Sequence, residues 1–350
     1  MTHRERVLAA LNRQPLDRFP VDLWYTPEVG AALSAHLGVQ DGFEMYRALD
    51  LDKIVWVFPA FQGHAAPGGE SRGEWGGEVV TQQAGDAMYI ESAGPALVGE
   101  PDEKALDDYL WWPDPDRYDY DTAVNAARAA SEHYAVIGPW VSFFEIYCGM
   151  RGLEHAMQDL MDDPDYVDAA LDRIEAIQTE KMKRFFSRAA GSVDLCFYSD
   201  DMGSQNALLI SPRMWQRHIG PRVKRWCDLI HSYGLKVFYH SDGSMSDLLP
   251  GLIEAGIDVL NPIQHICPGM EMDALKRNYG DRLIFHGGVD NQGALPFGSV
   301  QDVEQETLDC LHTLGADGQG YIACSCHNVQ PGTPVENILT MIRTVQQYPL

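Results

Sequence analysis

The stretch Lys236-Val-Phe-Tyr-His-Ser-Asp-Gly-Ser244 changes character in mid-run. A short apolar and aromatic segment leads straight into His, Ser and Asp, and then into Gly. β-Branched and aromatic residues bounded by Gly and Asp read as a buried strand. The polar residues then fall at its C-terminal end. The same grammar recurs along the chain in Phe19-Pro-Val-Asp-Leu-Trp24, Ile54-Val-Trp-Val-Phe58, Tyr134-Ala-Val-Ile-Gly138 and Ser192-Val-Asp-Leu-Cys-Phe-Tyr198. It returns in Asp258-Val-Leu260, Leu283-Ile-Phe285 and Gly320-Tyr-Ile-Ala323. Between these runs lie helical patterns over residues 164–188, 211–233, 247–255, 300–314 and 334–348. Ser211-Pro-Arg supplies a capping hydroxyl and a first-turn proline.

Eight runs, most of them followed by a helix, predict an α/β fold, a (β/α)8 TIM barrel spanning residues 1–350 as one domain. A doubly wound open sheet is the competing architecture. It lacks support because no Gly-x-Gly-x-x-Gly follows a strand. Residues 62–99 break the alternation. Their glycines and the segments Glu74-Trp-Gly-Gly-Glu-Val-Val-Thr and Met88-Tyr-Ile-Glu predict a β-hairpin insertion between strands two and three, near the barrel mouth.

Composition narrows the function. With 51 acidic against 26 basic residues, the formal charge is −25. That argues against non-specific nucleic-acid binding and anionic membrane surfaces, both of which need basic patches. Hydrophobic residues make up 45% of the chain, enough for a large core. No window approaches the roughly 18 apolar residues of a membrane span, and the first residues are too polar for a signal peptide. Seven scattered cysteines do not form a disulfide framework. The expected compartment is the cytoplasm.

In such a barrel the active site is built at the C-terminal ends of strands. Those ends carry Glu145, then Asp200, Asp201 and Gln205, then His240 and Asp242, then Gln264, then His286 and Asp290, and last Cys324, Cys326 and His327. His240 and Asp242, two residues apart, can both face the mouth. Cys326 or Cys324 offers a thiolate and Glu145 a further oxygen, a donor mixture that suits Zn²⁺. The competing reading makes His240 a hydrogen-bonded polar residue and the cysteines small core hydrophobes, and spacing alone leans towards it. Of the adjacent pair Asp200 and Asp201, one is expected to face the mouth while the other caps a helix or holds a loop amide. Trp24 is a candidate pocket wall. Gln205, Gln264, His286 and Asp290 are candidate substrate contacts, Asp290 with an equal claim to be a cap.

Several segments resemble the uroporphyrinogen decarboxylase superfamily. They include Arg4-Glu-Arg-Val-Leu-Ala-Ala-Leu-Asn-Arg13, Asp17-Arg-Phe-Pro-Val21, Arg151-Gly-Leu-Glu154 and Asp200-Asp-Met-Gly-Ser-Gln205. Gly234-Leu-Lys-Val-Phe-Tyr-His-Ser-Asp-Gly243, Gly287-Gly-Val-Asp290 and Thr333-Pro-Val-Glu-Asn-Ile338 belong to the same likeness. The resemblance covers nearly the whole chain and implies a (β/α)8 barrel. It also implies one of two chemistries: cofactor-free decarboxylation of a porphyrinogen, or zinc-dependent methyl transfer with a corrinoid carrier. The decarboxylases carry an Arg-Gln-Ala-Gly-Arg type segment after the first strand, where this chain has Trp24-Tyr-Thr-Pro-Glu-Val-Gly30. A substrate with many carboxylates needs paired cations, so the missing segment favours the methyltransferase side.

That branch has His-x-Cys after strand five and a Cys after strand eight. Here the first pair is His240-Ser-Asp242. Cys326 lies beside the second position, and His327 falls where the decarboxylases have a histidine. The resulting expectation is a zinc ion on His240, Asp242 and Cys326, with Asp200, Asp201, Glu145 and His327 as catalytic groups. The partners would be a small methyl donor or acceptor and a corrinoid carrier protein. Uroporphyrinogen decarboxylation and a non-catalytic corrinoid- or small-ligand-binding barrel are the alternatives.

Overall fold

The computed structural model describes residues 1–84, 87–92 and 94–350, with the side chains of residues 70, 84 and 87–92 left out of the description. Seven parallel strands form one curled sheet in chain order: β1 (Ile54–Trp56), β2 (Ala135–Val141), β3 (Leu195–Ser199), β4 (Lys236–His240), β5 (Val259–Asn261), β6 (Ile284–His286) and β7 (Tyr321–Ile322). Both sheet edges bond to the segment around Val21. Val21 bridges Ala323 in parallel, just past β7. On its other side the Val21 carbonyl accepts the Asp52 amide at 2.8 Å, just before β1. This segment therefore takes the place of the first of eight barrel strands, held by isolated bridges where a continuous ladder was expected. Pro20 within it has no amide to give a ladder.

The strands are buried on both faces, and successive side chains alternate between them. Leu195, Phe197, Phe238, Val259, Ile284 and Ile322 pack together inside the barrel. Cys196, Tyr198, Val237, Tyr239, Leu260 and Phe285 pack outward against the helices. Helix α1 (His3–Leu11) closes the end opposite the mouth, setting Val7, Ala10 and Leu11 against that inner cluster. Its N-terminus is fixed by a capping box between Thr2 and Glu5.

Helix α2 (Phe144–Arg151) follows β2, and α3 (Pro164–Ala189) covers the outside of the sheet. The helix expected over residues 211–233 is two helices, Pro212–His218 and Gly220–Ser232. Pro221 lacks the amide that would continue the first into the second. Within the insertion, Val79–Ala84 and Ala87–Ser92 pair antiparallel. Residues 85, 86 and 93, over which the expected hairpin also runs, lie outside the described residues.

Candidate active and metal-binding site at the barrel mouth

Strand alternation decides which polar residues reach the mouth. In β3, Leu195 and Phe197 face inward while Cys196 and Tyr198 face the helices. Continuing that alternation sends Ser199 and Asp201 to the inner side and Asp200 outward. Asp200 is fully buried. It accepts hydrogen bonds from the Ser142 hydroxyl (2.5 Å), the amides of Glu145 (2.8 Å) and Phe143 (3.4 Å), and the Tyr198 hydroxyl. Burial pushes its carboxyl above the ordinary range, while the Ser142 and Tyr198 hydroxyls pull it back. The catalytic role expected for Asp200 is thus corrected. Buried and taken up by these four donors, it ties the end of β3 to the start of α2.

Asp201 does stand at the mouth. Its Oδ1 accepts the Asp242 amide at 3.0 Å and lies 3.9 Å from His240 Nε2. Two glycines permit that approach. A Cβ on Gly203 would stand 2.4 Å from the Asp242 carbonyl oxygen, and one on Gly243 2.4 Å from the Ser204 carbonyl oxygen. The loops after β3 and β4 can interlock only where both positions lack a side chain.

His240 ends β4 on the same inner face as Phe238, and it is buried. Its Nδ1 is 2.6 Å from Asn261 Oδ1, and its ring stacks on Trp24 with centroids 5.8 Å apart. His240, Asp242 and His327 each bring one donor atom into a group whose members lie within 4.8 Å of one another. His327 Nε2 is 3.9 Å from Asp242 Oδ2, and its Nδ1 accepts the Asn328 amide at 2.7 Å. Burial and the neighbouring His240 lower the basicity of His327, against the pull of Asp242.

Cys326 does not join them, and the expected set of His240, Asp242 and Cys326 is corrected at its third member. The Cys326 thiol is buried and donates to the Ile263 carbonyl at 3.2 Å. Burial, with Cys310 and Asp290 nearby, pushes it well above the ordinary thiol range, which disfavours the thiolate a metal would need. His327 occupies the place expected of the sulfur.

The remaining candidates divide. Trp24 forms a floor under the mouth, stacked on His240 and edge-on to His327. Gln264 is buried and its Oε1 accepts the Gly243 amide at 2.7 Å, so it braces the β4 loop. Gln205 is exposed and meets Gln264 at 3.4 Å. Asp290 caps the turn that follows it, accepting the amides of Gln292 (2.8 Å) and Ala294 (3.3 Å). His286 is fully buried beneath the mouth, where substrate contact is closed to it.

Glu145 is solvent-accessible but recessed in the concave mouth, and Ser199 Oγ donates to it at 3.1 Å. Protein atoms around the recess, together with Asp200 and Asp201, raise its carboxyl to about 8. That shift favours its protonated form.

Sequence reasoning passed over Asp22, Lys53 and Asn261. Asp22 lies within an apolar run, yet the inward alternation that places Trp24 also places Asp22 inside the barrel. It is fully buried, 2.8 Å from Lys53 Nζ and 3.1 Å from His286 Nε2. Asp22, His286 and Cys324 form a second group of close donors. There Lys53 already supplies the positive charge that a cation would bring.

Comparison with known proteins agrees with this architecture. The chain belongs to the uroporphyrinogen decarboxylase (URO-D) family, whose pattern matches residues 86–348. A uroporphyrinogen decarboxylase of Coxiella burnetii (strain Dugway 5J108-111) is 27% identical over 73 residues, 21% of this chain and 19% of that protein. The match thus spans about a fifth of the relative's length. Among solved structures, a methyltransferase from Methanosarcina mazei superposes with a TM-score of 0.70 over 99% of both chains, at 17% identity. At that identity the likeness establishes a shared fold.

Proposed function

We propose that this enzyme moves a methyl group between a small methylated substrate and a corrinoid carrier protein, with zinc held at the mouth by His240, Asp242 and His327. The observation that carries the reading is the convergence of these three donors at strand ends. Two imidazoles and a carboxylate are a known catalytic zinc set that leaves a coordination position open. His240 Nδ1 lies 2.6 Å from Asn261 Oδ1, a contact that in the neutral ring would leave the Nε2 lone pair free for a metal. His327 joins when its ring gives up the Asn328 amide. The three donor atoms lie within 4.8 Å of one another and would hold the ion through two ring nitrogens and one carboxylate oxygen.

When bound, zinc supplies a Lewis acid that polarises the methyl-bearing group or activates a thiol. The chain's own groups do the rest. Glu145 holds a proton at its carboxyl for a leaving group, Asp201 fixes the β4 loop, and Trp24 gives the substrate an apolar floor. The decarboxylase reading is favoured by the family match and by the short Coxiella similarity. Against it, among the described residues no Arg or Lys pairs with Glu145, Asp201 or Asp242.

Calorimetric zinc titration of the metal-stripped protein tests the proposal, followed by methyl transfer from methylcobalamin to a thiol. One zinc per chain is expected, with affinity falling at least 100-fold in His240→Ala while circular dichroism stays unchanged. Absence of a zinc site, or equal affinity in the variant, overturns the metal reading. Neither metal nor turnover would leave a ligand-binding barrel.

A further inference from the structure

We infer that a buried chain of hydrogen bonds, running Lys53–Asp22–His286–Asn261, fixes His240 in a single tautomer with its proton on Nδ1 and its Nε2 lone pair presented to the mouth. His240 is the working group of the function proposed above, and the inference deepens that reading. Its argument nevertheless needs no metal, only the direction of each hydrogen bond.

The direction is forced from the charged end. Lys53 can only donate, and its Nζ lies 2.8 Å from Asp22 Oδ1. Asp22 also receives the amides of Leu23 (2.7 Å) and Ile54 (3.3 Å) and the indole N–H of Trp24 (3.1 Å). With that many donors around it the carboxylate stays ionised and can only accept. His286 Nε2, 3.1 Å from Asp22 Oδ2, must therefore carry a proton. Its Nδ1 then bears the lone pair of a neutral ring and accepts from Asn261 Nδ2 at 2.8 Å.

That contact sets the Asn261 amide the only way round that serves both neighbours: nitrogen towards His286, oxygen towards His240. An amide oxygen has no proton to give. His240 Nδ1, 2.6 Å from Asn261 Oδ1, is consequently the donor. In the neutral ring Nε2 is then the bare nitrogen. All five side chains are buried, so water offers no competing partners. They come from around the barrel: Asp22 from the segment that closes it, Lys53 from just before β1, and Asn261, His286 and His240 from the ends of β5, β6 and β4. A free imidazole exchanges its proton between the two nitrogens. Here the fold selects one form, and Asn261 is the positioning residue in contact with the ring.

The test uses the full-length chain labelled with ¹⁵N-histidine, without added metal, and long-range ¹H–¹⁵N spectra that distinguish a protonated from a bare ring nitrogen. His240 is assigned by the signal lost in His240→Gln. In the wild type, His240 should show a protonated Nδ1 and a bare Nε2. Asn261→Leu should convert that signal to a mixture of tautomers, and zinc affinity should fall about 10-fold or more, as for loss of a ligand's outer partner. Asn261→Asp keeps an acceptor for His240 but removes the donor to His286. His240 should keep its form there while the His286 signal changes. Circular dichroism verifies folding. If Asn261→Leu fails to fold, the wild type and Asn261→Asp decide. A wild-type His240 protonated on Nε2, an unchanged His240 tautomer in folded Asn261→Leu, or an unchanged His286 in Asn261→Asp overturns the inference. Loss of the zinc reading alone leaves it standing, because the tautomer is read without metal.

Discussion

Glu145 is a carboxyl set among carboxylates. The recess around it and the nearby Asp200 and Asp201 disfavour its charge and raise it to about 8, against an ordinary value of 4.5. A raised carboxyl contributes stability that is fully present below its unfolded value and lost as pH rises through its folded value. The window here runs from about 4.5 to about 8. Glu145→Gln removes this titration. The variant should therefore gain stability relative to the wild type as pH rises through that window. Urea unfolding at both ends of the window measures the difference. Parallel pH dependence in the two proteins would show that Glu145 ionises as an ordinary surface carboxylate.

At the scale of elements, strand ends were readable because a barrel strand has a period of two and an apolar interior. Phe238 and His240 share a face, so the histidine after the apolar run reaches the mouth as the sequence suggested. The same alternation separates Asp200 from Asp201, a distinction the sequence raised without assigning. Two features were not legible. After β7 the chain turns, with Val289 bridging Ser325 and the Cys326 amide bonded to Val289. Spacing could not foresee that this turn buries the cysteine and leaves His327 half-buried beside Asp242. Asp22 was hidden because a buried carboxylate within an apolar run has no local signature; its partner Lys53 lies 31 positions away.

The Asp200 carboxylate joins the end of β3 to the loop before α2, and Asp200→Ala leaves the Ser142 hydroxyl and the Glu145 amide without their acceptor. Each unsatisfied buried donor costs about 1–3 kcal/mol, so a loss of roughly 3 kcal/mol is expected, with Asp200→Asn milder. Chemical denaturation gives the value. A change below about 0.5 kcal/mol would mean that the loop finds other acceptors.

Over the whole molecule, acidic residues outnumber basic ones 51 to 26, and many of the cations are committed away from the mouth. Arg6 and Arg18 pair with Asp52, Arg151 with Asp159, Arg222 with Asp168 and Asp172, and Lys53 with Asp22. Around the mouth the described charges are Asp201 and Asp242, with Glu145 ready to join them at higher pH. Two like charges about 6 Å apart repel by roughly 3 kcal/mol at an effective dielectric of 20. A porphyrinogen carrying many carboxylates would meet that repulsion repeatedly, with no described Arg or Lys on the mouth carboxylates to offset it. A small, uncharged methylated compound would not meet it. Uroporphyrinogen should accordingly bind poorly and leave no coproporphyrinogen after incubation with the purified protein, with or without zinc. Raising the salt concentration should recover little turnover, because screening cannot supply the missing bidentate cations. Conversion at an ordinary enzymatic rate, about 1 s⁻¹ or faster, would reverse the assignment and make the acidic mouth a site for pyrrole N–H groups.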